Sequence, residues 1–188
     1  MTADDLFARA NQEWDSGNLH EAFALFLQAA DMGYASAQNS VGYFYDHGHG
    51  MAKDHVKAVF WYRRAARGGD VCGCHNLAIV HRDAGNIRRA RFWLAKVLAI
   101  RRDDGDAFLE LAKLCLSQRR PNLTEARKYL TRAVRSKSII PISKEEAQAL
   151  LDKHRAGAAP HSAAARARSS RSSSAVRRRM RNKRRTTA

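Results

Sequence analysis

One helical pattern recurs along this chain of 188 residues. Asn18 and Asn86 lie two periods of 34 residues apart, and Asn122 begins a further copy. An alanine follows each Asn after four residues, and another small or branched residue comes seven later. A copy without the Asn surrounds Ala58. Repetition at this period is typical of helix–turn–helix units that stack in one direction.

The small residues of the four copies share one helix face, where they let a neighbouring helix approach closely. They are Ala22, Ala58, Ala90 and Ala126, followed by Ala29, Ala65, Val97 and Ala133. The large residues beside them, expected in the core, are Phe26, Tyr62, Leu94 and Leu130. The Asn residues are predicted to cap these helices, with Glu21 and Glu125 completing capping-box-like pairs.

A shorter pattern precedes each of these helices and predicts a first helix for every unit. It reads "SAQNSVGYFY" from Ser36, "GCHNLAIVH" from Gly73 and "AFLELAKLC" from Ala107. The opening segment follows it less regularly, with Leu6, Ala10 and Trp14 as core candidates. The predicted fold is therefore all-α, an α-solenoid of about four helix-turn-helix repeats. We place the repeats at residues 3–33, 34–69, 70–102 and 103–137.

The second unit resembles a known repeat family. Its stretch "AQNSVGYFYDHGHGMAKDHVKAVFWYRRAARGG" is similar to the Sel1-like subclass of tetratricopeptide repeats, and it departs at Val41 and at Met51-Ala52. The later units lack the Gly-x-Gly loop and resemble plain tetratricopeptide units. The resemblance covers roughly residues 3–137. It implies that the first helix of each unit lines a concave groove that binds another protein.

Two segments follow the repeats. Residues 138–156 are predicted to form a capping helix, with Ala147, Leu150 and Leu151 as its apolar stripe. Pro141 is expected to end the preceding segment, and Ser143 with Glu146 to form a capping box. Residues 157–188 contain ten Arg and Lys and no acid, with almost no large apolar residue. We predict a disordered basic tail rich in Arg, Ser and Ala.

Charge is distributed unevenly along the chain. The net charge is +16, yet the first fifty residues contain seven acids against Arg9 alone. The tail is predicted to attract phosphate backbones or anionic lipid, and it lacks aromatic residues for base stacking, so nucleic-acid binding would be non-specific. Its anion-binding candidates are Arg177, Arg178, Arg179, Arg181, Lys183, Arg184 and Arg185. Arginines expected on the outer surface are Arg63, Arg64, Arg67, Arg88, Arg89, Arg91, Arg101 and Arg102.

Two clusters offer metal ligands. The first contains Asp46, His47, His49, Asp54 and His55, and the second contains Cys72, Cys74 and His75. A structural interpretation is favoured for both. The glycines of "DHGHG" suit a turn between helices, Asp54 suits a helix N-cap, and Cys74 and Cys115 suit the packing between units. We therefore predict no metal site.

Catalytic and cofactor motifs are absent from the sequence: it has no nucleophile elbow, phosphate-binding loop, dinucleotide fingerprint or HExxH. We expect no enzyme activity and no cofactor. Function is expected instead on the exposed positions of the first helices, in the groove that the resemblance implies. These are Asn39, Tyr43, Asp46, His75, Asn76, Arg82, Glu110 and Lys113.

The leading hypothesis is a non-catalytic interaction scaffold or adaptor that binds a protein or peptide in this groove. The alternative is an electrostatic binder of nucleic acid or anionic surfaces through the basic tail and the arginine-rich face. The N-terminus has no secretory signal and the odd number of cysteines suits a reducing compartment, so a cytoplasmic location is expected. We expect a monomer.

Overall fold

The computed structural model describes residues 1–155, and their regular secondary structure is helical. The helices come in pairs joined by short turns. The bounds are α1 Ala3–Asp15, α2 Leu19–Asp31, α3 Ala35–His47, α4 His55–Arg67, α5 Val71–Asp83, α6 Ile87–Ile100, α7 Gly105–Leu116, α8 Leu123–Arg135 and α9 Pro141–Arg155. The predicted basic tail, residues 157–188, lies outside the described residues.

The helices stack in chain order, each against the next. In addition the first helices touch one another along the array, α3 against α5 and α5 against α7. Helix α9 packs on α8 and α7 and so covers the last repeat. The predicted all-α solenoid with a C-terminal capping helix is confirmed. The borders between units stay a prediction.

Small residues let the neighbouring helices pack closely, as the spacing of these residues predicts. Ala22, Ala58, Ala90 and Ala126 are completely buried, and so are the residues seven positions later in each repeat. The large residues beside them are buried too, and Tyr62 is among the largest fully buried side chains of the described residues. Close helix contact therefore depends on the repeated alanine positions.

The buried side chains form two main cores with a small bridge between them. One core joins α1 to α4, and the other joins α5 to α9. Ala58, Tyr62 and Leu77 make the bridging cluster between α4 and α5. Because each repeat of a solenoid contacts only its neighbours, this bridge carries apolar packing from one half to the other.

Helix caps match the sequence predictions only in part. Asn86 and Asn122 accept hydrogen bonds from the backbone N–H of Arg89 and Glu125, as predicted. The prediction for Asn18 is wrong, because its side-chain amide donates to Glu13 at 2.8 Å and makes no cap bond. Glu125 accepts from the side chain of Asn122 rather than from its backbone.

The start of α9 also differs from the prediction. Pro141 is the first residue of the helix, so Ser143 lies inside the first turn and cannot serve as the N-cap. Proline suits this position because its fixed φ is helical and the N–H it lacks would have no partner within the helix. Glu146 pairs instead with Lys113 on α7, at 2.8 Å between carboxylate oxygen and Nζ.

Candidate functional site

The eight groove residues predicted from the sequence lie on the first helices and are half-buried rather than exposed. Most of them pair with one another or with a neighbouring helix. The amide of Asn76 on α5 donates from Nδ2 to Oδ1 of Asn39 on α3, at 2.9 Å. This bond joins two consecutive first helices across the surface that they share.

An ionic chain continues the same surface toward the C-terminal end. Arg82 on α5 pairs with Glu110 on α7, and Glu110 also accepts from Nζ of Lys113 at 3.1 Å. Lys113 in turn reaches Glu146 on α9. Three of the predicted residues therefore tie α5, α7 and the capping helix together.

Asp70 and Asp104 repeat one arrangement a period apart. Each caps its own first helix, accepting the backbone N–H of Gly73 at 2.7 Å or of Ala107 at 2.9 Å. Each also accepts from the preceding first helix: the Ser36 hydroxyl bonds Asp70, and the ring Nε2 of His75 lies 3.1 Å from Asp104. These caps therefore join successive repeats.

The environment of Asp104 favours its charged form. Burial by itself raises the pKa of Asp104, but the hydrogen bonds from His75 and from the backbone of Ala107 outweigh it, so the pKa lies below its ordinary value. Asp104 therefore stabilises the fold above its unfolded pKa of about 3.9, and this contribution is lost as the pH falls through the lower folded pKa.

Replacing Asp104 by alanine is expected to lower the free energy of unfolding by about 1.5 kcal/mol near pH 7, because α7 loses its cap and His75 its partner. The difference from wild type should shrink as the pH falls below about 4. Urea unfolding at both pH values measures this. Asp31→Ala, an exposed acid at the end of α2, is the control, and an equal effect of the two variants would contradict the prediction.

A pocket of about 440 Å³ opens between α5, α7 and the start of α9. Four of the predicted residues, His75, Asn76, Glu110 and Lys113, line it. Ile79, Leu109 and Ile140 add apolar surface, while Arg101 and Asp106 add charge. One carboxylate oxygen of Asp106 is buried without a hydrogen-bond partner among the described residues. The pocket thus combines apolar walls with convergent polar groups, as binding pockets do.

Tyr43 and Asp46 have different surroundings at the N-terminal end. The ring of Tyr43 stacks on His47 with centroids 4.0 Å apart and lies 5.7 Å from the ring of Trp14. Asp46 turns toward α4, where it accepts from the hydroxyl of Tyr62 at 3.3 Å and pairs with His55 at 2.7 Å. Asp46 was expected to be open to the groove, but its carboxylate bonds to two residues of α4.

Among the residues considered as metal ligands Asp46 and His55 pair, but no third ligand from the described part of the chain joins them. His47 and His49 stack beside Tyr43, and Asp54 caps α4 by accepting the N–H of Lys57. Gly48 and Gly50 have φ of 74° and 71°, which explains the glycines of the loop. Within residues 1–155 no group of three His, Cys, Asp or Glu is placed to hold a metal ion.

None of the three cysteines forms a disulfide, and two of them belong to the core. Cys74 and Cys115 are buried, while Cys72 is exposed at the edge of the pocket. Burial raises the pKa of the Cys74 and Cys115 thiols, which disfavours the reactive thiolate near neutral pH. Packing explains Cys74 and Cys115, as their helix positions predict.

Sequence reasoning missed Asp104 as part of the surface and misjudged Arg91. Asp104 stands one period after Asp70, a spacing that could have identified the shared cap. Arg91 was expected on the outer surface, but it lies half-buried, bonding Sγ of Cys115 at 3.2 Å and facing Glu125. The predicted tail residues Arg177 to Arg185 lie outside the described part of the chain.

Comparisons with known proteins agree with this repeat structure. The Sel1 repeat model matches residues 15–34, 35–70 and 110–138, and a tetratricopeptide repeat model matches residues 74–103. The fold is similar to that of a Sel1 repeat protein from Oxalobacter formigenes, with a TM-score of 0.59 and 22% identity over 70% of this chain and 57% of that one. None of the described helices is long and apolar enough to cross a bilayer.

Similarity to curated proteins is more local. A stretch of 51 residues, 27% of this chain, is 43% identical to the chitin synthase regulator SKT5 of Saccharomyces cerevisiae. The chain spans only 7% of that protein's length. The matched repeats, their helix pairs and their alanine packing agree with one another, and the chain belongs to the Sel1-like and tetratricopeptide repeat family.

Proposed function

We propose that this chain is a non-catalytic scaffold that holds an extended segment of a partner protein along the face of α3, α5 and α7, the first-helix face. Repeats of the Sel1 and tetratricopeptide type generally mediate protein–protein interaction. The yeast relative is named as a regulator of chitin synthase.

The observation that carries the proposal is the amide pair of Asn39 and Asn76. Their mutual bond uses one donor and one acceptor, and no further hydrogen bond reaches either amide among the described residues. A side-chain amide has the same donor and acceptor groups as a peptide bond. The free N–H of Asn39 and the free oxygen of Asn76 therefore suit the backbone of an extended segment.

The pocket beside Asn76 supplies a place for a side chain of that segment. Ile79 and Leu109 line it with apolar surface, and Lys113 and Arg101 line it with positive charge. We infer that an apolar or acidic side chain of the partner enters it, next to the backbone held by the two amides.

Rigidity of the surface favours this use. The ionic chain from Arg82 to Glu146 and the bond between His75 and Asp104 hold the side chains in place before a partner arrives. A preorganised surface loses less conformational entropy on binding, so more of the contact energy appears as affinity.

Peptides selected by display against the full chain provide the test. The double change Asn39→Ala and Asn76→Ala is expected to weaken their binding by at least about tenfold, because each amide loses bonds to the peptide backbone. Fluorescence anisotropy measures the dissociation constants. Gln28→Ala, an exposed residue on α2, is the matched control and should leave them unchanged.

The same assay separates the groove from the electrostatic alternative. Binding that survives the two Asn changes but is lost when the tail residues from Arg177 to Arg185 are changed to Ser would reject the groove. In that case affinity should also fall steeply with salt, as contacts between charges do.

A further inference from the structure

One face of α4 leaves large apolar side chains in solvent. Val56 is 82% exposed and Phe60 is 54% exposed, with Val59 half-buried beside them. Together with Arg63, Arg64 and Arg67 these residues line a groove of about 520 Å³, here called the α4 outer face. It lies on a second helix and is distinct from the first-helix face.

The three arginines of this face are not neutralised. None of them pairs with a carboxylate among residues 1–155, whereas Arg82 and Lys113 on the first-helix face do. Arg64 lies over the ring of Trp61, 4.8 Å from its centroid, which holds its guanidinium in place. The charges are thus available to a partner.

The fold does not require this face, as the next repeat shows. Helix α6 has Phe92 in the place of Phe60, and it is also 54% exposed. However, Arg88 and Arg91 stand where α4 has Val56 and Val59. Ala95 and Ala99 stand where α4 has Arg63 and Arg67. Of these two helices, α4 alone combines an apolar row with a row of arginines.

We propose that the α4 outer face binds an acidic amphipathic helix of a partner protein. Along α4 the apolar residues come first and the arginines follow, over about 16 Å from Val56 to Arg67. A helix that presents two or three large apolar side chains and then carboxylates matches both halves, in the manner of helix-in-groove recognition.

Other occupants fit less well. Residues 157–188 of this chain contain ten Arg and Lys and no acid, so like charges repel them from the face. A second copy could offer its acidic first fifty residues, but Met1 and Met32 are their only exposed large hydrophobics, which gives no apolar row. A membrane-surface helix buries an apolar face along its length, whereas the apolar residues of this face end at Phe60.

A designed peptide tests the proposal on the full chain. The fluorescein-labelled probe is as long as α4, with Leu at positions i, i+3, i+4 and i+7 and with Glu and Ala elsewhere. We expect saturable binding by anisotropy. Phe60→Ser should raise the dissociation constant about tenfold, while Phe92→Ser, equally exposed, should leave it unchanged.

A second pair of variants tests the charges. Changing Arg63 and Arg67 to Ser should also weaken binding about tenfold and reduce its salt dependence. Changing Arg88 and Arg89 to Ser removes the same charge from α6 and should have little effect. The Asn39 and Asn76 double change should leave this probe's binding intact, which separates the two sites.

Several outcomes would overturn the proposal. The proposal fails if the probe does not bind. It also fails if Phe60→Ser and Phe92→Ser weaken the binding of the probe equally. Another such outcome is binding to phosphatidylcholine–phosphatidylserine vesicles that Phe60→Ser abolishes while the probe does not bind, which would make the face a lipid site. Concentration-dependent self-association abolished by Phe60→Ser, again without probe binding, would assign the face to a second copy.

Discussion

Changing Tyr62 to alanine is expected to lower the free energy of unfolding by roughly 4 kcal/mol. The ring is fully buried in the cluster with Ala58 and Leu77, and its hydroxyl donates to Asp46. Removing it creates a cavity at the junction of the two cores and leaves the oxygen of Asp46 without this donor.

The same change should also reduce the cooperativity of unfolding. The two cores meet through this cluster, so weakening it lets the repeats before α5 unfold apart from those after α4. Two single-tryptophan backgrounds measure this, one keeping Trp14 in the first core and the other keeping Trp93 in the second. When Tyr62 is present, the two backgrounds should unfold at the same urea midpoint. When Tyr62 is replaced by alanine, the two midpoints should differ.

Tyr34→Ala serves as the control, since Tyr34 packs against the first core only. It should lower stability without separating the two midpoints. Coincident midpoints in Tyr62→Ala would show that the halves are coupled by contacts other than this bridge.

Gly42→Ala is expected to lower the free energy of unfolding by about 2 kcal/mol, although alanine is the better helix former. A Cβ at Gly42 would lie 2.6 Å from Cδ1 and 2.7 Å from Cε1 of the Tyr62 ring. That ring is fully buried and cannot move aside without disturbing the bridge. Urea unfolding measures the effect.

The repeats themselves suggest the rescue. In the third and fourth units alanine stands in place of Gly42, at Ala78 and Ala112, and leucine stands in place of Tyr62, at Leu94 and Leu130. Tyr62→Leu should therefore restore much of the stability lost in Gly42→Ala, giving a coupling energy of about 1–2 kcal/mol in a double-mutant cycle. A stabilising Gly42→Ala, as helix propensity alone predicts, would contradict this interpretation.

Periodicity predicted the fold because packing in a solenoid is local. Alanines at Ala22 and Ala90 recur where helices touch, so their spacing alone identified the contact face. The helix ends were harder to predict. Asn18 was expected to cap α2, but its side-chain amide donates to Glu13 of the preceding helix instead. The cap is lost because a contact between two helices competes with it.

The sequence predicted which helix face forms the candidate site, but it did not predict the hydrogen bonds between the side chains of that face. Asn39 and Asn76 were identified because both lie on the exposed side of a first helix, but their mutual hydrogen bond depends on how far one repeat turns against the next. Asp46 and Arg91 show the same limit. Each is polar at an expected surface position, and each is engaged by a neighbouring helix.

The sequence by itself determined the all-α repeat, its alanine contacts and the charge of each segment, since these follow from residue types at a fixed period. The tertiary structure decided which polar groups are paired and which stay available. The ionic chain from Arg82 to Glu146 is closed, whereas Arg63 and Arg67 have no acidic partner among the described residues. The physical reason is that pairing depends on distances across helices, which residue order does not contain.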